Sequence, residues 1–260
     1  MALQFQHKPG LVIYLTAGDP SLEATLAIAL AAIDAGADVI ELGVPFSDPL
    51  ADGPVIQRAS ERALAKGTSL KDVLEVARKI RAARPAAGLV IFSYYNPILR
   101  YGLANFADDS AAAGADGVLV TDMIVEEAAP YLKEMERVNL APVFLAAPTS
   151  PDERLQAIAT HSKGFIYAIS RTGITGKQQN LTADAAELVN RLRRWSKLPV
   201  AVGFGISNAG HVAQVAEFAD AVVVGSAIVE LVEHSAPDEA PGSVARFIKG
   251  LHLEQSVLAR

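Results

Sequence analysis

Two carboxylates eleven residues apart carry the most evident chemistry of this chain. Glu41 lies near the end of a short apolar run, Ala37-Asp38-Val39-Ile40-Glu41-Leu42, that reads as a buried strand. Asp52 follows in a stretch punctuated by Pro45, Pro49, Gly53 and Pro54, too rich in breakers to be helix or strand. A bare carboxylate inside an apolar strand is costly, so a site is a better reason for it than a core. Two carboxylates in different surroundings can divide acid and base work between them. The structural alternative makes Glu41 a core acid paired with a base and Asp52 a helix N-cap.

A second set of residues suits phosphate. In Gly203-Phe204-Gly205-Ile206-Ser207, Gly205 lets backbone N–H groups approach an anion without a Cβ in the way, and Ser207 can cap the helix that follows. Gly225-Ser226 opens another helix and adds donors and a hydroxyl. Plain tight turns are the competing explanation. Other chemistries find little support. His7, His161, His211, His234 and His252 form no short-spaced ligand set. The strand ends carry no lysine for a Schiff base, Lys177 being the nearest and placed in a polar loop. No serine sits in a nucleophile elbow. Metal-free, cofactor-free acid–base work on a small phosphorylated molecule remains.

These residues need a scaffold that gathers them. Strand-length apolar runs at 11–16, 37–44, 88–94, 117–121, 141–146, 165–170, 200–203 and 221–224 alternate with helical periodicity at 22–35, 55–65, 70–83, 103–113, 125–138, 152–160, 183–196 and 209–218. Two more helices follow, at 227–233 and 244–258, with 235–243 read as a loop. Near-continuous Val/Ile/Leu strands buried on both faces belong to parallel sheets. Eight strand–helix units predict an α/β fold, a (β/α)8 TIM barrel forming one domain over residues 1–260. The candidate residues then fall at the C-terminal strand ends, where such barrels place their sites, with phosphate after strands 7 and 8. Gly18-Asp19-Pro20, Tyr94-Tyr95-Asn96-Pro97, Thr121-Asp122 and 170–176 fall there too. Ala35-Gly36-Ala37-Asp38 recurs as Ala113-Gly114-Ala115-Asp116, which reads as a shared helix-stop turn.

Composition suits a soluble protein with a sizeable core: 260 residues, 51% hydrophobic, 20% charged. A net charge of -6 argues against nucleic acid as a partner. Without cysteine there can be no disulfide, zinc–thiolate site or iron–sulfur cluster. No apolar run is long enough to span a membrane, and MALQFQHKPG lacks signal or transit character, so a cytoplasmic location is expected.

The stretch from Glu41 to Pro54, taken with Tyr94-Tyr95-Asn96-Pro97, Ala147-Pro148-Thr149, 170–176, Val202-Gly203-Phe204-Gly205-Ile206-Ser207 and Val224-Gly225-Ser226-Ala227, resembles the tryptophan synthase α subunit family, collinearly from about 14 to 233. The resemblance implies a (β/α)8 barrel that cleaves indole-3-glycerol phosphate to indole and glyceraldehyde 3-phosphate. It implies no cofactor in this chain. A pyridoxal-phosphate β subunit is the implied partner, in an α2β2 heterotetramer, receiving indole through an internal channel. By the same resemblance Glu41 is the general acid–base residue and Asp52 holds the indole N–H. Tyr167 and Thr175 help hold the acids and close the site. Gly176, Gly205, Gly225 and Ser226 bind phosphate. Tyr14, Phe92, Leu119, Phe204 and Val223 line the indole slot, and Asp48, Pro49 and Leu50 meet the partner.

Three departures from the family pattern stand out. Thr121-Asp122-Met123-Ile124 replaces the frequent Pro-Asp-Leu-Pro, predicting a looser loop. Phe92 stands where Leu or Met is more usual, predicting a narrower slot. The segment before Leu11 is short, so the barrel floor is expected to close differently. A stand-alone lyase releasing free indole, or a subunit that mainly activates its β partner, remains open beside the two-protein enzyme.

Overall fold

Valine- and isoleucine-rich runs become strands here because both of their faces are covered, and the amphipathic runs between them supply the outer cover. The computed structural model describes residues 3, 5–169, 181–203 and 205–258, with side chains at all of these but 181 and 253–258. The strands are β1 Gly10–Thr16, β2 Val39–Gly43, β3 Gly88–Ser93, β4 Gly117–Val120, β5 Ala141–Val143, β6 Leu145–Ala146, β7 Ile166–Ile169, β8 Val200–Gly203 and β9 Ala221–Val224. The helices are α1 Leu22–Asp34, α2 Pro54–Ala65, α3 Leu70–Ala83, α4 Tyr95–Tyr101, α5 Leu103–Ala112, α6 Ala129–Arg137, α7 Asp152–His161, α8 Leu181–Leu192, α9 Ala209–Ala216, α10 Ser226–Glu233 and α11 Ala240–Leu258. A short 3-10 turn, Val125–Glu127, precedes α6.

All strand pairings are parallel, in the order β5-β4-β3-β2-β1-β9-β8-β7-β6. The two terminal strands of that order are halves of one run, 141–146, interrupted only at Phe144. Val143 pairs with Leu119 of β4, and Leu145 with Tyr167 of β7. The chain changes partner at Phe144, whose carbonyl still accepts the Tyr167 amide at 3.1 Å. The ring thereby closes, as the (β/α)8 reading requires.

Alternate strand residues sort into two clusters. Leu11, Ile13, Ile40, Leu42, Leu89 and Ile91 pack outward with the helices. Val12, Val39, Val90, Leu119, Val143 and Tyr167 pack together in the lumen. Leu3 and Phe5 join the lumen cluster from below, with Phe5 and Phe165 ring centroids 5.8 Å apart, so this short segment closes the floor. The turns before β2 and β4 stop their helices with Gly36 and Gly114 at positive φ, as the repeated motif predicts. Their aspartates add something the motif reading did not contain. Asp38 accepts the Leu11 amide at 2.8 Å, Asp116 the Leu89 amide at 2.9 Å, and Asp220 before β9 the Val200 amide at 2.9 Å. Each carboxylate thus stitches the start of the preceding strand.

Two helical segments differ from expectation. Tyr95–Tyr101 is helical where the sequence reading placed no helix, with Pro97 in its first turn, and α11 begins at Ala240, inside the stretch read as a loop, with Pro241 in its first turn. Proline is tolerated there because first-turn N–H groups have no helical acceptor to lose.

Candidate active site

β2 carries Glu41 at its centre, two residues after lumen-facing Val39, and period-two alternation turns its side chain into the barrel. Glu41 is fully buried (0% exposed), and neither carboxyl oxygen has a hydrogen-bond partner among the described residues. Burial alone pushes its carboxyl up to about 8. Asp52 hangs in the loop between β2 and α2, held from several sides. The Tyr94 hydroxyl donates to Asp52 Oδ2 at 3.1 Å while accepting the Ala51 amide at 2.9 Å. The Asp52 amide donates to the Pro49 carbonyl, and Gln57 Nε2 to the Asp52 carbonyl at 2.8 Å. Burial raises Asp52 to about 6, the Tyr94 bond pulling the other way. Burial therefore favours the protonated form of Glu41 more strongly than that of Asp52. One acid and one carboxylate, set apart by environment, can serve as proton donor and charge stabiliser. Neither half of the structural alternative is found among the described residues. No base pairs with Glu41 among the described residues, and Gly53, without any side-chain bond, occupies the N-cap of α2.

Tyrosines line the space beside the acids. The Tyr14 ring meets Phe92 edge-on, centroids 5.0 Å apart at 74°. The Tyr14 hydroxyl lies over Gly43, where a Cβ would come within 2.2 Å of it, and the Tyr167 hydroxyl lies over Gly203 equally closely. Glycine at these two strand ends is what admits the two phenols. Burial, then the fields of the nearby carboxylates, holds both phenols above their ordinary range, so both remain neutral donors. Leu119 pairs in register with Phe92, and Val223 with Gly203; both belong to the lumen cluster.

At the other end, Gly225 precedes α10, whose first turn has no side-chain cap, leaving its amides to an anion. Ser226 is exposed at its first position. A Cβ on Gly225 would approach Tyr14 Cβ at 3.7 Å, so the α10 entrance adjoins the Tyr14 wall. Gly205 adopts φ +75°, a conformation that favours glycine, with open space around it. Asn208, not Ser207, caps α9, accepting the His211 amide at 2.9 Å. Thr175, Gly176 and Lys177, with the whole segment 170–180, and Phe204 lie outside the described residues.

On the rim, Asp48 is exposed, Pro49 half-buried and Leu50 95% exposed, with Leu99 of α4 and Ile124 of the loop after β4 also exposed. Asp122 accepts the Tyr95 amide at 2.7 Å and so ties its loop to α4. Tyr94 is the residue that sequence reasoning passed over. It was assigned only to a strand end, yet its ring packs on Phe46 at 5.2 Å and its hydroxyl holds Asp52. The signal available was an aromatic with a polar tip at a strand's C-terminal end.

A family model described as "Tryptophan synthase alpha chain" matches residues 1–256. This chain belongs to the tryptophan synthase alpha chain family. The Solibacter usitatus tryptophan synthase alpha chain is 52% identical over 238 residues, covering 92% of this chain and 89% of the relative. The crystal structure of the Legionella pneumophila tryptophan synthase alpha subunit superposes with a TM-score of 0.88 at 35% identity, covering 96% of this chain and 93% of that one. An aminoacrylate-bound form of Mycobacterium tuberculosis tryptophan synthase gives a TM-score of 0.84 at 38% identity, covering 94% of each chain. Among the described residues of this family member, no group of three or more His, Cys, Asp or Glu could hold a metal, and no helix is long and apolar enough to cross a membrane.

Proposed function

We infer that this chain cleaves indole-3-glycerol phosphate to indole and glyceraldehyde 3-phosphate as a tryptophan synthase alpha subunit, a carbon–carbon lyase, working as one barrel domain. The observation that carries the reading is Glu41, fully buried and without a hydrogen-bond partner among the described residues, its carboxyl pushed up by burial further than that of Asp52. Glu41 protonates the indole carbon that bears the side chain. Asp52 accepts the indole N–H and stabilises the positive charge that develops there. The carbon–carbon bond then breaks with its electrons returning to the ring. The neighbouring glycerol hydroxyl becomes the aldehyde carbonyl as its proton passes to the Glu41 carboxylate, which restores the acid. Tyr167 and Thr175 hold the acids, and Tyr14, Phe92, Leu119, Phe204 and Val223 grip the flat ring. Gly176, Gly205, Gly225 and Ser226 take the phosphate, the uncapped α10 amides facing its charge.

A pyridoxal-phosphate β subunit docks on Asp48, Pro49 and Leu50 in an α2β2 cytoplasmic enzyme; this part of the reading is supported by the almost complete exposure of Leu50. Turnover of the chain with and without that subunit, together with co-elution, is the test. The expected result is co-elution and a rise in kcat. Full activity alone without co-elution would favour the stand-alone lyase, and negligible activity alone the activating subunit. Glu41→Gln retaining more than half the activity would overturn the acid–base assignment.

A further inference from the structure

The Gly18-Asp19-Pro20 turn after β1 sits among the site loops, yet the acid–base and phosphate roles leave it unused. Asp19 is buried, its side chain 3% exposed, and both its oxygens are taken by Arg62 of α2, from Nε at 2.8 Å and Nη2 at 2.7 Å. The third Arg62 nitrogen, Nη1, donates to Glu233 Oε1 at 2.7 Å, on the last residue of α10. Arg58, one turn earlier on α2, forks onto the same Glu233 from Nε at 2.9 Å and Nη2 at 2.7 Å. Two acids and two arginines thus join three elements, a single bond spanning as many as 175 positions in sequence. The turn itself cannot shift freely: Gly18 takes φ +90° and its amide donates to Thr25 Oγ1 at 3.0 Å.

The elements so joined are those that set the length of the site. α2 begins directly after Gly53, and its Gln57 holds the Asp52 carbonyl. α10 begins at Gly225-Ser226 and ends at Glu233. We propose that Arg62 is a positioning residue that fixes the uncapped N-terminus of α10 at a set distance from Asp52, by fastening α10 and the β1 turn to α2. The proposal rests on the phosphate role of Gly225 and Ser226. Planar, bidentate guanidinium geometry suits this task, and an ammonium cannot reproduce three directed bonds. A misplacement of about 1 Å can cost on the order of 10²-fold in rate, so loss of the clamp shows in kinetics as well as in stability.

The experiment compares wild type with Glu233→Gln, Arg62→Lys, Arg62→Met and the pair Asp19→Asn/Arg62→Met, which leaves no buried charge unpaired. Glycerol 3-phosphate affinity is read by calorimetry, and kcat and KM with indole-3-glycerol phosphate, on protein with native circular dichroism. The expected result is affinity weakened about threefold in Glu233→Gln and about tenfold or more in the pair, with partial recovery in Arg62→Lys. A clamp that only stabilises the fold lowers Tm but leaves that affinity at the wild-type value in Glu233→Gln and in the folded pair, and this result overturns the proposal. Ser226→Ala is the control for the underlying reading. Unchanged affinity in Ser226→Ala displaces the phosphate site itself; weakened affinity there with unchanged clamp variants displaces only the role of Arg62.

Discussion

The carboxylates at the floor of this barrel and the two acids assigned to chemistry at its mouth are treated in opposite ways. At the floor, Asp38 accepts the amides of Gln6 and Leu11 and meets His7 Nδ1 at 2.9 Å. Asp116 takes the Leu89 amide and Arg81 Nη2 at 2.6 Å, and Asp220 takes the Val200 amide with Arg193 3.4 Å away. At the mouth, Glu41 has no partner among the described residues, and a single phenol donates to the Asp52 carboxylate among the bonds described. Saturated carboxylates align strand starts and are inert. A carboxylate stripped of water and partners holds a proton it can give away near neutral pH. Reactivity therefore goes with the acids that lack such partners among the described residues, while paired carboxylates, Asp19 at the mouth included, serve the structure.

The sharpest way to break this comparison is Glu41→Gln. We expect indole formation to fall about 10²–10⁴-fold while the fold gains stability at alkaline pH. The folded-state value of about 8 lies above the ordinary 4.5, so the folded protein binds this proton more tightly than the unfolded chain. The contribution of Glu41 to stability is full below pH 4.5 and is lost as pH rises through 8. A 3.5-unit separation, 8 minus 4.5, bounds that loss at about 5 kcal/mol. Urea unfolding at pH 5 and pH 8.5 measures it; a variant less stable than wild type at pH 8.5 contradicts the account. At the floor the same logic inverts. Asp116→Ala removes the acceptor of the Leu89 amide and of Arg81 Nη2, and should cost about 2–4 kcal/mol. Turnover per folded molecule should stay within about twofold, since a floor residue makes no transition-state contact. Thermal melts beside active-site-normalised rates decide between the two.

Tyr94→Phe sharpens the comparison inside the mouth. Removing the donor to Asp52 should lift that carboxyl above its present value of about 6, and lower kcat/KM at pH 7 about tenfold, as loss of a hydrogen bond to a charged group implies. The acidic limb of the pH profile moves upward with it, and an unmoved limb removes Tyr94 from the site. The smallest effects belong to the glycines. Gly205→Ala should cost about 1 kcal/mol, because its positive φ disfavours any side chain. Gly225→Ala, with its nearest neighbour at 3.7 Å, should leave stability within about 0.5 kcal/mol, so a change in glycerol 3-phosphate affinity there reports on the anion site alone.

Residues close together in the chain were enough to place most strands and helices. Val39-Ile40-Glu41-Leu42 announces both a buried strand and the anomaly within it, and Gly36 and Gly114 announce their turns, because periodicity and φ preference act over a few residues. The loop read around Pro241 misled for an equally local reason, since a helix's first turn accepts what its interior rejects. Tertiary structure alone decided which groups meet. Tyr94 reaches Asp52 across 42 positions and Arg62 reaches Glu233 across 171. Ring closure turns on Phe144, where one run of apolar residues leaves β4 and joins β7. That Glu41 meets no partner among the described residues is decided in the same way. A partner's absence depends on every strand and loop packed around the carboxylate, and no window of sequence contains them all.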